Sequence, residues 1–163
     1  MPITLRTATP DDRAAVVALC ERLADFELPP GRTAHEIAVA DLPLIDAQLA
    51  RPDDAVLFLV AEDAELGVIG TLFANTRDDY FTGRRAAYVE VLAVSERAQG
   101  QGVAGQLMGA VEAWAEARGF YRVELSVFTN NQRARNFYKH LGFREEFVRC
   151  VREADGADGA ARS

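Results

Sequence analysis

The stretch from Ala86 to Gly119 constrains this chain most. Ala86-Ala87-Tyr88-Val89-Glu90-Val91-Leu92-Ala93-Val94 is an apolar run of strand length. It passes through Ser95-Glu96-Arg97-Ala98-Gln99-Gly100-Gln101-Gly102 into a segment where Val103, Leu107, Val111 and Trp114 recur at helical spacing. Gly119 supplies the helix stop. Gly100 and Gly102 let the backbone turn tightly and approach a ligand closely. The first N–H groups of the following helix have no carbonyl one turn back, so they converge on one spot and favour an anion there. Strand, glycine turn and helix together therefore imply a phosphate site. The turn lacks the Gly-Lys-Ser/Thr ending of a Walker loop. Taken alone, it also fits a plain β–α connection.

The rest of the chain supplies a sheet and its covering helices. Ile3 to Thr7 alternates as a first strand, and Thr9-Pro10-Asp11-Asp12 opens a helix with a cap, a proline at the first position and two carboxylates. Val16, Val17, Leu19, Cys20 and Leu23 form its apolar stripe. A second helix is expected over 34–50, interrupted or bent near Pro43. Strands are expected over 55–61, 66–75, 86–94, 122–128 and 143–151, with helices over 100–118 and 131–141. The expected order is βααβββαβαβ, a mixed α/β domain over residues 1–152. The tail from 153 has almost no apolar content and is expected to be disordered.

A second motif sits near the C-terminus, in Asn131-Gln132-Arg133-Ala134-Arg135-Asn136-Phe137-Tyr138-Lys139-His140-Leu141-Gly142-Phe143. Asn131 suits the N-cap, and Ala134, Phe137, Tyr138 and Leu141 share one face. With Gln99-x-x-Gly102-x-Ala104, this segment resembles the GNAT superfamily of N-acetyltransferases. The family's Gln/Arg-x-x-Gly-x-Gly/Ala and Asn-x-x-Ala-x-x-Phe-Tyr-x-x-x-Gly-Phe patterns are both filled. The valine of the family's earlier Val-x-Pro is kept at Val94, while Glu96 replaces the proline.

The resemblance implies an acyl-CoA N-acyltransferase fold: a mixed, mostly antiparallel twisted sheet flanked by helices. It implies acetyl-CoA as cosubstrate. Gln99, Gly100, Gln101, Gly102, Val103 and Ala104 would cradle its pyrophosphate, and Leu92 and Val94 would pair with the pantetheine arm through their backbone. Asn131 and Tyr138 would touch the arm as well, and Arg97, Arg133 and Arg135 would meet the outer phosphates. Tyr138 is the family's usual acid for the departing thiolate. Glu90 is the favoured base, because a carboxylate interrupting an apolar strand needs a reason to be there. Facing solvent or holding an arginine accounts for Glu90 equally well, and Glu124 is a weaker candidate base.

Charge bears on the partner. Net charge is -7, which disfavours nucleic acid. The first 82 residues carry 15 acidic and 6 basic side chains, so a cationic amine is drawn to that half. Tyr80 and Phe81, in the loop before the Glu90 strand, are candidate acceptor contacts, with plain loop anchors as the alternative. A small-molecule amine is expected, with a protein lysine or N-terminus as alternative acceptor. A non-catalytic acyl-CoA-binding domain is the competing class. No run approaches the ~20 apolar residues of a membrane helix. Two cysteines and two histidines give no metal pattern. A cytoplasmic chain, without metal, forming a homodimer is expected.

Overall fold

The computed structural model describes residues 2–156. Strands β1 (Ile3–Thr7), β2 (Val56–Asp63), β3 (Gly67–Asp78), β4 (Arg85–Val94) and β5 (Val123–Leu125) form one sheet in chain order. Neighbours are antiparallel except β4 and β5, which are parallel. The helices are α1 (Arg13–Cys20), α2 (Ala34–Val39), α3 (Leu42–Ala50), α4 (Val103–Ala117) and α5 (Gln132–His140). The mixed, mostly antiparallel sheet and its flanking helices bear out the expected fold class.

The sheet is buried on both faces because its strands are apolar at odd and even positions alike. In β2, Phe58 and Val60 face α1 and α3, in a cluster with Val16, Leu19, Cys20, Ile45, Phe73 and Val91. Leu59 and Ala61 face α4, in a cluster with Leu72, Val103, Leu107, Met108 and Val111. Gly70 sets how closely α4 lies on the sheet: a Cβ there would stand 2.9 Å from a Val103 methyl.

Of the two alternatives for 34–50, the interruption near Pro43 is found: the segment is two helices. Thr33 and Glu36 form a capping box that starts α2. Pro43 lacks the N–H that Val39 would need one turn on, so α3 starts afresh from Asp41.

Two strands differ from expectation. β5 pairs over three residues only, and 143–151 forms no strand. Arg144, Glu145 and Glu146 interrupt the alternation there, and their charges pair off the sheet: Glu145 with Arg135 at 2.5 Å and Glu146 with Arg122 at 3.1 Å. Phe147, Val148 and Val151 are left exposed. The tail expected from 153 falls partly outside the described residues, and Glu153 itself lies beside Gly31.

One ion-pair network ties β1 to α1. The Arg6 guanidinium donates to both Asp12 oxygens at 2.8 Å and to Glu62 at 2.8 Å. Asp12 is buried, and its carboxylate also accepts from the Thr9 N–H at 2.7 Å. The hydrogen bonds from Arg6 hold its pKa down at about 2, against burial, which opposes. A carboxyl with a folded pKa below its unfolded one stabilises fully above the unfolded value and loses that stability as pH falls through the folded one. Asp12→Asn is therefore expected to cost about 2 kcal/mol at pH 7 and little at pH 2. Urea unfolding at the two pH values reads the difference.

Candidate active site

The site begins with one extra residue in β4. Phe73 lies opposite Val91 and Ala74 opposite Val89, which leaves Glu90 as a bulge without a partner on β3. Pairing between β4 and β5 stops at the same level: Val89 with Leu125 is the last matched pair. β5 ends there, and the seam beyond it is split, with no further ladder pairing to β4. Leu92 and Val94 continue along β4 beside this split, paired to β3 on their other side. Leu92, Val94, Leu125 and Tyr138 all pack against the α4-side core.

The glycine turn closes the mouth of the split. A short 3-10 turn, Glu96–Ala98, follows β4, so the α-helix expected from 100 begins only at Val103. Gly100 and Gly102 both have φ of +76°, the left-handed region that side chains disfavour. Nothing lies within 4 Å of a Cβ at either position, so conformation and not crowding requires glycine. Gly102 caps α4 without a side chain, which leaves the N–H groups of Val103 and Ala104 for a ligand. Gly100, Gly102 and Gly105 also stand at Gly-x-Gly-x-x-Gly spacing. The largely antiparallel sheet sets this site apart from a doubly wound dinucleotide fold.

Gln99 joins the turn to the other wall. Turned so that its oxygen faces donors, its carboxamide accepts from Arg133 at 3.0 Å and from Arg22. Asn131 caps α5 through its oxygen, which accepts from Ala134 N–H at 3.2 Å, leaving its NH2 group to donate. The Gln101 amide bonds back to the Arg97 carbonyl at 3.1 Å.

Tyr138 lies between Phe137 and Phe143, at ring separations of 5.2 and 5.8 Å. Its hydroxyl makes no hydrogen bond among the described residues, and burial pushes its pKa up to about 12. It therefore stays protonated at neutral pH and is able to donate.

Glu90 is held, not bare. Its carboxylate pairs with Arg77 and accepts from the Asn75 amide at 3.1 Å, with 10% of the side chain exposed. Arg77 also lies over the Tyr88 ring, 3.7 Å from its centre. The Tyr88 hydroxyl meets Ser126 Oγ at 2.6 Å, a tie between β4 and the chain leaving β5. Asp41, between α2 and α3, belongs to this neighbourhood: burial pushes its pKa up, Glu90 adds to the rise and Arg77 opposes it. Sequence reasoning missed Asn75, Arg77, Tyr88 and Asp41, since nothing in their spacing marks them. It also missed the cover. The α1–α2 connection crosses to the β5–α5 loop, stacking Phe26 on Phe128 at 5.4 Å and placing the Glu27 carbonyl on Asn130.

Other candidates stand apart. Tyr80 and Phe81 sit at the β3–β4 hairpin tip, 93% and 79% exposed, touching each other at 5.3 Å. Beneath them Asp79 accepts from Tyr121 at 2.5 Å and Thr82 at 2.7 Å, so the tip is anchored by Asp79. The structure does not bring this tip to Glu90, which lies five residues into β4 from Arg85. Glu124 pairs with Arg122 at 2.5 Å, and Arg135 with Glu145. No group of side chains able to hold a metal ion occurs among the described residues.

The "Acetyltransferase (GNAT) family" model matches residues 18–143, more than half of the chain. The chain belongs to this family. It is 35% identical over 91 residues to the mycothiol acetyltransferase of Beutenbergia cavernae, covering 56% of this chain but only 29% of that relative. The fold is similar to a putative acetyl transferase from Pyrococcus furiosus, with a TM-score of 0.75 at 18% identity, covering 94% of this chain and all of that one. It is also similar to AAC(6')-Iy in complex with the bisubstrate analog CoA-S-monomethyl-acetylneamine, with a TM-score of 0.70 at 23% identity, covering 94% and 99%. The chain spans between about a quarter and a half of the length of the curated relatives it matches. No described helix is long and apolar enough to cross a membrane.

The left-handed glycines give a direct check. Gly102→Ala is expected to cost about 1–2 kcal/mol of stability, because a Cβ strains this backbone. Gly105→Ala, at an ordinary helical position open to a Cβ, is expected to be neutral or stabilising. Paired denaturant titrations compare the two.

Proposed function

We propose that this acetyltransferase moves the acetyl group of acetyl-CoA to a primary amine on a cationic small molecule. The observation that carries this reading is the split between β4 and β5, with the glycine turn at its mouth and Glu90 at its apex. The unpaired N–H groups and left-handed glycines of the turn suit a pyrophosphate. The free side of β4 at Leu92 and Val94 suits an extended arm bearing amides. The bisubstrate complex of a structural neighbour supports the same cosubstrate.

In this reading each residue has one task. Glu90, directly or through water, takes a proton from the incoming ammonium, so that the nitrogen lone pair is available. The new C–N bond forms at the thioester carbonyl as the C–S bond breaks. Tyr138 O–H would supply the proton of the departing sulfur, and the second proton that the nitrogen sheds on becoming an amide would restore the phenol. The walls hold the two reactants together, which supplies much of the rate. Asp41, Glu90 and the acidic first half of the chain favour a cationic acceptor. The acetylneamine part of the neighbour's ligand is consistent with that class.

Titration calorimetry is expected to show saturable binding of acetyl-CoA and none of NAD or ATP. Absence of acetyl-CoA binding by folded protein would overturn the reading. With an amine acceptor in hand, Tyr138→Phe and Glu90→Gln are each expected to lower kcat about 10- to 1000-fold while the dissociation constant for acetyl-CoA stays within about threefold. Equal losses in binding would reassign both residues to cofactor contact or packing.

The homodimer is also proposed, and the exposed Phe147, Val148 and Val151 beside the short β5 support it. Light scattering is expected to give twice the 17.8 kDa of one chain. A single-chain mass would reject the dimer.

A further inference from the structure

Two arginines from opposite walls meet on one neutral oxygen. Arg22 follows α1, and Arg133 lies in the first turn of α5. Both direct a guanidinium nitrogen to the Gln99 carboxamide, the residue that opens the glycine turn. Arg22 is held from behind by Asp25, at 2.9 Å from its other terminal nitrogen. Its Nε is buried with no acceptor among the described residues. Ser95 Oγ, where β4 enters the turn, is likewise buried and unpartnered. Asp25 offsets the charge of Arg22 alone and a carboxamide oxygen offsets none, so two cations converge with one carboxylate and with donors left over. An anion between the walls would supply both the missing acceptors and the missing charge.

We propose that Arg22 and Arg133 clamp the pyrophosphate of coenzyme A from the two sides of the split, Arg22 acting from outside both sequence motifs. The inference rests on the acetyl-CoA reading above and adds a binding residue to it. It also gives the phosphates a structural consequence. Arg22 leads into the connection that crosses to Phe128 and Asn130. An anion held by Arg22 therefore fixes the start of the segment that covers the split.

The test is binding of three probes, coenzyme A, 3'-dephospho-coenzyme A and pantetheine, to wild type, Arg22→Gln and Arg133→Gln. Each substitution is expected to weaken coenzyme A and dephospho-coenzyme A by about tenfold or more and leave pantetheine unchanged. Unchanged pantetheine binding, with an unchanged melting temperature, shows that the variant is folded and the split intact. Arg22→Lys is expected to fall between wild type and Arg22→Gln, since it keeps the charge and loses the planar fork. If wild type binds coenzyme A and Arg22→Gln binds it equally well, the clamp is overturned and the cofactor reading stands. A loss confined to coenzyme A, sparing the dephospho form, overturns the pyrophosphate assignment in favour of the 3'-phosphate. An equal loss for pantetheine overturns it in favour of a structural role. Wild type that binds none of the three overturns the cofactor reading and the clamp together.

Discussion

A single extra residue in β4 organises this molecule. A strand inside a sheet normally has both edges satisfied, and an edge left open is a liability. Glu90 breaks the match between β3 and β4, and β4 parts from β5 at the same level. The result is half a strand, buried on its faces and open along one side, inside a core that otherwise closes tightly around it. A ligand with an extended amide backbone is what such an edge can take up. The helix that follows then has to start beside the open edge, because β4 ends there. The unpaired N–H groups at the start of α4 and the open edge of β4 are thus consequences of one chain path.

The same bulge sets the electrostatics. It turns Glu90 toward Asn75 and Arg77, and so toward Asp41 on the helical side. Carboxylates gather on one side of the split, while arginines gather at its mouth around Gln99. A cationic acceptor and an anionic cofactor would approach such a molecule at different ends. Tyr138 packs between Phe137 and Phe143, where burial raises the pKa of its phenol. The ties across the split come from elements distant in sequence: Tyr88 to Ser126, Phe26 to Phe128, and Arg22 to Gln99.

Much of this was legible in the residues, for reasons that differ between elements. The β4–turn–α4 unit was read because strand period, glycine and helix period follow one another without interruption, and each is a local property. The interruption near Pro43 was legible because proline acts on its own backbone. The strand expected over 143–151 did not form. Its alternation is weak, and whether it pairs depends on β5, which leaves the sheet after Leu125. Tyr80 and Phe81 looked like acceptor contacts because aromatic rings near acidic residues can stack on cations. Their place at a hairpin tip follows from the length of β3 and β4, which run as far as Asp78 and from Arg85 and leave only a short loop between them.

The sequence by itself determined where backbone N–H groups would be left for an anion, which carboxylate interrupts the apolar strand, and that Phe137 and Tyr138 share the apolar face of the last helix. Those are consequences of residue type, φ preference and period, and they need no partner from elsewhere in the chain. Only the tertiary structure decided what Glu90 holds, that Arg22 reaches the glycine turn from α1, and that the α1–α2 connection covers the split. These contacts join residues tens of positions apart, and their geometry is fixed by how the helices lie on the sheet. Gly70 beneath Val103 and Leu107 shows how directly that packing is set by side-chain volume, a quantity no local pattern reports.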